Sequence, residues 1–443
     1  MQNWDGKIHY ITKTGQFKIG LLPKVYDMCI EMGIKPKVVD MRQPLPKVSK
    51  VVTNIGKYKL RPEQEKAVKA VINNKIGNTP FHIGVLDYTV NAGKTLIMSS
   101  LYLSYKKQLK TLLITNDSDW LNQAREEFKQ YLPGEDITFV QGKVLNWSNF
   151  TIGMVQSISR NMRFYQKELS QIDMVLVDEA DQGGSKQYQN VITRLFNTRI
   201  RIGLSGTIYM SKLAKDKVKN MNLECFFGKA IAEFKLKDSI KKGYSTKTVV
   251  KMVPGKPWYG NWESDCISYK EIYDDSITNC YTAWLMAYNR LLWNLNQGRY
   301  PALVVCKHIA HCENLYKFFK KKLGDAYNIA YVHVNTSSKL RQQIMKDFRE
   351  GKIDILVSTT IIARGKNFPK LKYLLNAASM LSNEKTIQFL GRLVRTDSSK
   401  KKAYVDDLMY PGNYLSRHAR ARKRYYQVEK LKVILVKRPK HKL

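Results

Sequence analysis

Residues 81–97 read FHIGVLDYTVNAGKTLI and residues 172–181 read IDMVLVDEAD. In the first stretch an apolar run leads through a short loop to Gly93-Lys94-Thr95, and a second apolar stretch, LIMSSLYLSY, follows. Strand, tight loop and helix N-terminus in that order aim backbone N–H groups at phosphate, with a lysine for the β and γ oxygens and a hydroxyl for Mg²⁺. The spacing predicts a nucleotide site built by Asn91, Ala92, Gly93, Lys94 and Thr95, taking ATP and Mg²⁺. Where the pattern GxxxxGK[ST] would open with glycine, this chain has Tyr88. In the second stretch the apolar run ends in Asp178-Glu179, so two carboxylates leave the C-terminal end of a buried strand, where α/β sheets place their chemistry. Asp178 is expected to hold Mg²⁺ and Glu179 to orient and deprotonate a water.

Working outward, the runs FHIGVL, TLLITN, TIGMVQS, IDMVLVDEAD and IRIGLSGT are nearly continuous apolar segments separated by helical stretches. That pattern predicts an α/β fold with a mostly parallel sheet covered on both faces. A second run of the same kind holds ALVVC, IDILVSTT, LKYLLNAA and AYVDDL, with helices expected over 308–322 and 338–350. The division expected is a small α+β appendage over 1–56, a first α/β domain over 57–228, a linker and insertion over 229–298, a second α/β domain over 299–411, and a basic tail over 412–443. Within the appendage, KIHYITKTGQFKIG reads as two short strands about a turn, LLPKVYDMCIEMG as a helix, and KPKVVDMRQPLP as a strand stopped by prolines. The tail carries eleven lysines and arginines against one glutamate, so both a packed cap and a nucleic-acid contact are open readings. Two α/β units joined by a linker leave a cleft in which nucleotide could sit.

Composition narrows the partners. The 443 residues are 44% apolar, enough for real cores, and hold 75 lysines and arginines against 37 acidic residues, a formal charge of +38. Such an imbalance favours a polyanion held by counterion release. Six cysteines stand without a CxxC pair, which argues against a zinc or redox motif and for reduced thiols. The opening MQNWDGKIHYITK has no apolar secretion segment, and no stretch approaches the roughly 20 apolar residues of a bilayer span, so no membrane partner is expected.

The second half adds positive charge in QFLGRLVR, residues 388–395, where Gln388 is followed by Arg392 and Arg395. Arginines three apart are expected on one helix face. Phosphoryl transfer spreads negative charge over the γ oxygens, and an arginine brought from the opposite domain stabilises it, which couples hydrolysis to domain closure.

Taken together these residues resemble superfamily 2 helicases from about Tyr58 to Leu408. LRPEQ at 60–64 resembles the adenine-side motif, YTVNAGKT motif I, TND with Trp120 and Gln123 motif Ia, QS at 156 and 157 motif Ib, DEAD motif II and Ser205-Gly206-Thr207 motif III. VVCKHIAHCENL resembles motif IV, STTIIARGKNFP motif V and QFLGRLVR motif VI. The resemblance implies two tandem RecA-like domains. It also implies that Arg61 and Gln64 lie on the adenine side, that Gly365 lies near the nucleotide, and that Ser205 and Thr207 couple ATP state to the nucleic-acid path. Thr115, Asn116, Gln156, Ser157, Lys307 and Thr359 would follow the phosphate backbone of one strand. Motif V commonly has an acidic residue where Asn367 stands. The elements SGT and QFLGRLVR, without the histidine of HRxGRxxR, separate the chain from DEAD-box RNA helicases. FKIGLLP at 17–23 before a helix resembles the UvsW-like helicases of tailed phages.

The expectation is an ATP-dependent DNA helicase or translocase, acting without sequence preference on single-stranded and branched DNA. Forks, D-loops and four-way junctions are the substrates the resemblance implies. A monomer in the cytoplasm of an infected bacterial host, working with phage replication or recombination proteins, is the setting it implies. Three other readings stay open: an RNA helicase, a double-strand translocase that does not separate strands, and a basic architectural binder with no activity. Trp258, Trp262 and Arg424-Tyr425-Tyr426 could stack on exposed bases or pack internally.

Overall fold

The apolar runs of the first half lie side by side as parallel strands in a computed structural model, which describes residues 8–105, 108–142, 144–206, 214–255, 268–363, 368–381 and 383–437. Eight strands are β1 (Ile83–Tyr88), β2 (Thr111–Thr115), β3 (Ile137–Gln141), β4 (Val144–Leu145), β5 (Phe150–Met154), β6 (Met174–Asp178), β7 (Ile200–Ser205) and β8 (Ala230–Phe234). Their order across the sheet is β8-β1-β7-β6-β2-β5-β3-β4. Each pairing is parallel except that of β3 with β4. Every residue of β1, β2, β6 and β7 is buried, which is why these strands read as unbroken apolar runs rather than as alternation.

Helix α1 (Leu22–Glu31) forms where the apolar spacing predicts it, with Pro23 inside its first turn. Before it, Ile11 and Phe17 make one antiparallel bridge rather than two full strands. The stretch KPKVVDMRQPLP takes no strand. Instead Asp40 is ion-paired to Arg42 at 2.8 Å and to Arg199 at 3.4 Å, and Thr79 donates to the Val38 carbonyl. Side-chain anchors hold it where Pro36, Pro44 and Pro46 cannot donate to a ladder. Helices α2 (Pro62–Ile72), α3 (Lys94–Ser104) and α4 (Ser118–Tyr131) complete the surroundings of the site in this unit.

The chain divides into compact units between Lys235 and Leu236. Strands β9 (Lys247–Pro254), β10 (Ala302–Val305), β11 (Ile329–Val332), β12 (Ile355–Ser358), β13 (Tyr373–Asn376), β14 (Lys402–Met409) and β15 (Lys432–Leu435) form the second sheet, ordered β11-β12-β10-β13-β14-β9-β15. All its pairings are parallel. Helices α5 (Tyr281–Leu295), α6 (Ile309–Leu323), α7 (Ser338–Glu350), α8 (Asn383–Leu393) and α9 (Asn413–Val428) accompany it. Two tandem RecA-like parallel-sheet domains, flanked by extensions, are therefore the architecture.

Residues 229–298 are divided between the two units. β8 joins the first sheet, whereas β9 pairs with β14 from Lys247 opposite Lys402 to Pro254 opposite Met409. α5 buries Ala283, Ala287, Leu291 and Leu295 in the second core. The lysines of KTVVKMVP gave this strand a linker-like composition, yet Thr248, Val250 and Met252 alternate inward. The tail also packs. Arg422, fully buried on α9, donates through Nε and Nη2 to the Asp407 carboxylate at 2.7–3.1 Å and through Nη1 to the Met380 carbonyl at 2.8 Å. Tyr426 and Asn376 donate to the same carboxylate, so its acceptor sites are filled. Tyr426 is thus a core residue, not a stacking platform. Trp258 and Trp262 lie outside the described residues.

Candidate active site

The phosphate-type loop between β1 and α3 has two left-handed residues, Asn91 (φ 65°) and Gly93 (φ 71°). Gly93 is required twice, by this φ and because a Cβ would land on the Gln64 amide. Gln64 braces the loop. Its Oε1 accepts from the Arg61 N–H at 2.8 Å, capping α2, and its Nε2 donates to the Ala92 carbonyl at 2.9 Å. With both amide atoms engaged and 1% exposure, Gln64 acts here as a strut, while Arg61 stays half-buried beside it. Tyr88, in the glycine's place, is buried and donates its hydroxyl to the Glu63 carbonyl at 2.8 Å, tying the end of β1 to α2. Beneath the loop Asp87 is ion-paired with Lys235. Lys94 and Thr95 open α3, where the helix dipole favours anions.

Asp178 ends β6, and Glu179 follows in a left-handed conformation (φ 51°) that turns the chain into a short 3-10 helix. Burial pushes the Asp178 carboxyl above its usual range, and the Lys94 ammonium opposes that shift more than any other group. Burial first, then the carboxylates of Asp178 and Asp181, push the Glu179 carboxyl up as well. Both shifts mean that the acid pair has less positive charge beside it than its burial demands. Oδ1 of Asp178 is buried with no hydrogen-bond partner, so it remains available to a cation. Among the described residues no cluster of three metal-ligating side chains occurs. Mg²⁺ in a nucleotide site needs no such cage, since one carboxylate, one hydroxyl and phosphate oxygens can hold it. The donor set of Thr95 and Asp178 fits the ion.

β7 brings Ser205 alongside. Its hydroxyl donates to Asp181 Oδ1 at 2.8 Å, linking the end of β7 to the acidic loop. A Cβ on Gly206 would lie 2.8 Å from Thr89 Cα, so only glycine lets this turn pass the phosphate loop. The roles of Asp181 and Gly206 were missed from the sequence, although the last letter of DEAD pointed to the former. Thr207, Gly365 and Asn367 lie outside the described residues.

The residues expected along nucleic acid fall at the C-terminal ends of neighbouring strands. In the first unit Thr115 ends β2 and accepts from the Asp117 N–H at 3.2 Å, while Gln156 follows β5 and donates to the Asn116 carbonyl at 3.4 Å. Ser157 accepts from the Gly142 N–H at 2.9 Å. β2 and β5 pair, with Thr115 opposite Met154, so these residues share one rim. In the second unit Thr359 follows β12, and Lys307 follows β10 with its ammonium 4.0 Å from the Tyr269 ring centroid.

Gln388 and Arg392 lie on α8, half-buried, but Arg395 does not continue that helix. α8 ends at Leu393, so the arginines are not on one helix face as their spacing predicts. The cause is local. Thr246, just before β9, donates from its N–H to the Val394 carbonyl at 2.7 Å and from its hydroxyl to the Arg395 carbonyl at 3.0 Å, drawing the chain into an extended path. Lys400 then caps the helix, donating to the Leu393 carbonyl at 2.7 Å and to the Leu371 carbonyl at 3.0 Å.

Residues 57–210 match the family model described as type III restriction enzyme, res subunit, and residues 285–397 match the helicase conserved C-terminal domain. The chain therefore carries the tandem-domain architecture of superfamily 2 helicases, with Lys94 and Asp178 in the first match and Arg392 and Arg395 in the second. The protein designated helicase 22 of Sulfolobus islandicus filamentous virus (isolate Iceland/Hveragerdi) is 22% identical over 385 residues, 80% of this chain and 64% of that protein. The structure of a fragment assigned as an HsdR subunit of a type I restriction enzyme from Vibrio vulnificus YJ016 aligns with a TM-score of 0.59 at 16% identity, over 78% of this chain and 62% of that one. The chain thus spans just under two thirds of the length of both. T4 UvsW aligns over 98% of this chain and 90% of its own at 20% identity, but its TM-score of 0.42 distinguishes no subfamily. Proteins named as RNA helicases match as well, over 17–21% of this chain. ATP with Mg²⁺ is the cofactor pair such domains typically bind.

Proposed function

We propose that the chain is an ATP-driven motor on nucleic acid and that its substrate is DNA. The carrying observation is the grouping of the phosphate loop with a buried acidic strand end, Lys94 being the chief counter-charge to Asp178, in a chain whose second domain bears Arg392 and Arg395. The loop N–H groups and Lys94 bind the β and γ phosphates of ATP. Thr95 and Asp178 would hold Mg²⁺, which when bound withdraws charge from those phosphates. Glu179 orients a water and accepts its proton as the oxygen attacks the γ-phosphorus, and the bond to the bridging oxygen breaks. Arg392 and Arg395 offset the charge that develops on the γ oxygens. Ser205, through Asp181, passes the state of the acidic loop to the rim that carries Thr115, Asn116, Gln156 and Ser157.

DNA is favoured over RNA by the restriction-enzyme description of the first-domain match and by a motif VI without histidine. Phosphate contacts carry no base code, so the motor acts on any sequence. Within this reading the finer assignment is to branched DNA, as branch migration and unwinding at forks, D-loops and four-way junctions. Its setting would be phage replication, recombination or repair in the cytoplasm of an infected bacterium, as a monomer. The RNA reading is favoured by the relatives named as RNA helicases. ATP hydrolysis measured with a DNA junction, a fork, plain duplex DNA and duplex RNA, together with strand displacement on each, separates these readings. DNA-stimulated hydrolysis with junction or fork displacement is expected. Stimulation and unwinding confined to RNA overturn the DNA assignment, and hydrolysis without displacement would indicate a double-strand translocase. Absence of ATP hydrolysis under every condition would leave only a basic binder.

A further inference from the structure

We infer that the solvent face of α9, in the basic tail, is a second nucleic-acid contact that clamps a phosphate backbone outside the motif residues. α9 is amphipathic in an unusual sense. Leu415, Ala419, Arg422 and Tyr426 are buried, and they fall on one side of the helix at 3.6 residues per turn. Arg417, Arg420 and Arg424 are exposed, and their spacing of three and four places them together within about a third of the opposite circumference. Arg422, the one buried arginine of the helix, spends its charge on Asp407. The exposed three therefore add an uncompensated stripe to a helix that has no acidic residue from Asn413 to Val428.

The chemistry of the stripe selects a phosphate chain. All three cations are arginines, whose planar forks match phosphate oxygens in pairs. The face offers little apolar surface for a bilayer, since only Val428 and the ring of Tyr414 are exposed large hydrophobics on the helix. The stripe also adjoins a residue already expected at nucleic acid. Lys307 packs over Tyr269, Tyr269 lies 5.2 Å from the His418 ring and 6.2 Å from that of Tyr414, and both of the latter residues are on α9. A backbone following Lys307 thus meets the N-terminal half of α9 next. The inference rests on the motor reading for the identity of its ligand, but assigns residues that no helicase motif contains.

The test is fluorescence-anisotropy titration of the full chain with a labelled 30-nucleotide DNA strand, and with the same strand as duplex, over a series of salt concentrations. Arg417→Ala/Arg420→Ala/Arg424→Ala is expected to bind at least about tenfold more weakly at moderate salt. Its log–log salt slope should fall by about 2 on the single strand and by about 3 on the duplex, the sum of three lost phosphate contacts. The companion Arg417→Lys/Arg420→Lys/Arg424→Lys should retain the slope, and a thermal melt of each variant within a few degrees of the parent excludes unfolding. Equal affinity and equal slope for the alanine variant, in a parent chain that binds DNA and hydrolyses ATP, overturn this inference and leave the motor reading standing. Failure of the parent itself to bind either DNA overturns both.

Discussion

Gln64 Nε2 donates to the Ala92 carbonyl at 2.9 Å, so a residue of α2 holds the phosphate loop from behind. The same amide fills the space that a side chain at Gly93 would need. Gln64→Ala should loosen the loop without removing a phosphate ligand. We expect nucleotide affinity to fall about tenfold, in line with the ~1–3 kcal/mol cost of stranding a buried carbonyl. Gly93→Ala, which adds a clash to a strained φ, should lose more. Titration with a fluorescent ATP analogue measures both, and unchanged affinity in both variants would remove Gln64 from the site.

Lys94→Ala should abolish nucleotide-dependent turnover, because the loop loses its phosphate cation. Glu179→Gln is expected to keep nucleotide binding while turnover drops at least ~100-fold, the scale of a positioned acid–base group. Phosphate-release kinetics beside equilibrium binding distinguish the two, and normal turnover in either variant would refute its assignment.

Breaking the Arg422–Asp407 pair from one side should be costly. Both side chains are fully buried, so Asp407→Ala leaves an arginine without its counter-charge. A loss of about 3–5 kcal/mol is expected for the second unit. Replacing Arg422 and Asp407 together by methionine and leucine should recover much of it. Urea denaturation followed by circular dichroism reads the difference.

His311 supplies a pH dependence. Buried on α6, with Nδ1 3.1 Å from the Tyr273 hydroxyl, it is pushed down to about 3 by burial and then by His308. The unfolded chain takes up a proton near the ordinary histidine value, roughly 6.5, whereas the folded chain does not. Stability from the neutral ring is therefore complete above pH ~6.5 and is lost as pH falls toward 3, by a few kcal/mol in all. His311→Gln should flatten the stability–pH profile across that window, which denaturation at stepped pH would detect.

How far the sequence carried depended on burial. β1, β2, β6 and β7 are buried along their whole length, so their apolar runs marked them, with the loop to Lys94 after β1 and Asp178 at the end of β6. KTVVKMV reads as a lysine-rich strand of the linker and KLKVILVKRP as an edge strand or a helix turn, yet β9 and β15 both join the second sheet, because their parallel partners lie far along the chain. KPKVVDMRQPLP read as a strand from its valines, yet the ion pairs of Asp40, which no local pattern records, decide its course. Arg395 was placed on a helix by its spacing from Arg392, and hydrogen bonds from Thr246, nearly 150 positions earlier, take it off. The strut role of Gln64 was equally hidden, since it is a contact between α2 and a loop distant in sequence.

The position of β9 has a consequence for how the chain is made. It lies between β14 and β15, so its neighbours on both sides are synthesised long after it. A ribosome delivers the first sheet in full while β9 is still waiting with two bare edges, and those edges invite pairing with other chains. Premature termination between Pro254 and Lys402 would therefore release a finished first unit trailing an adhesive strand, a fragment suited to aggregation or to quality-control proteolysis rather than to reduced function.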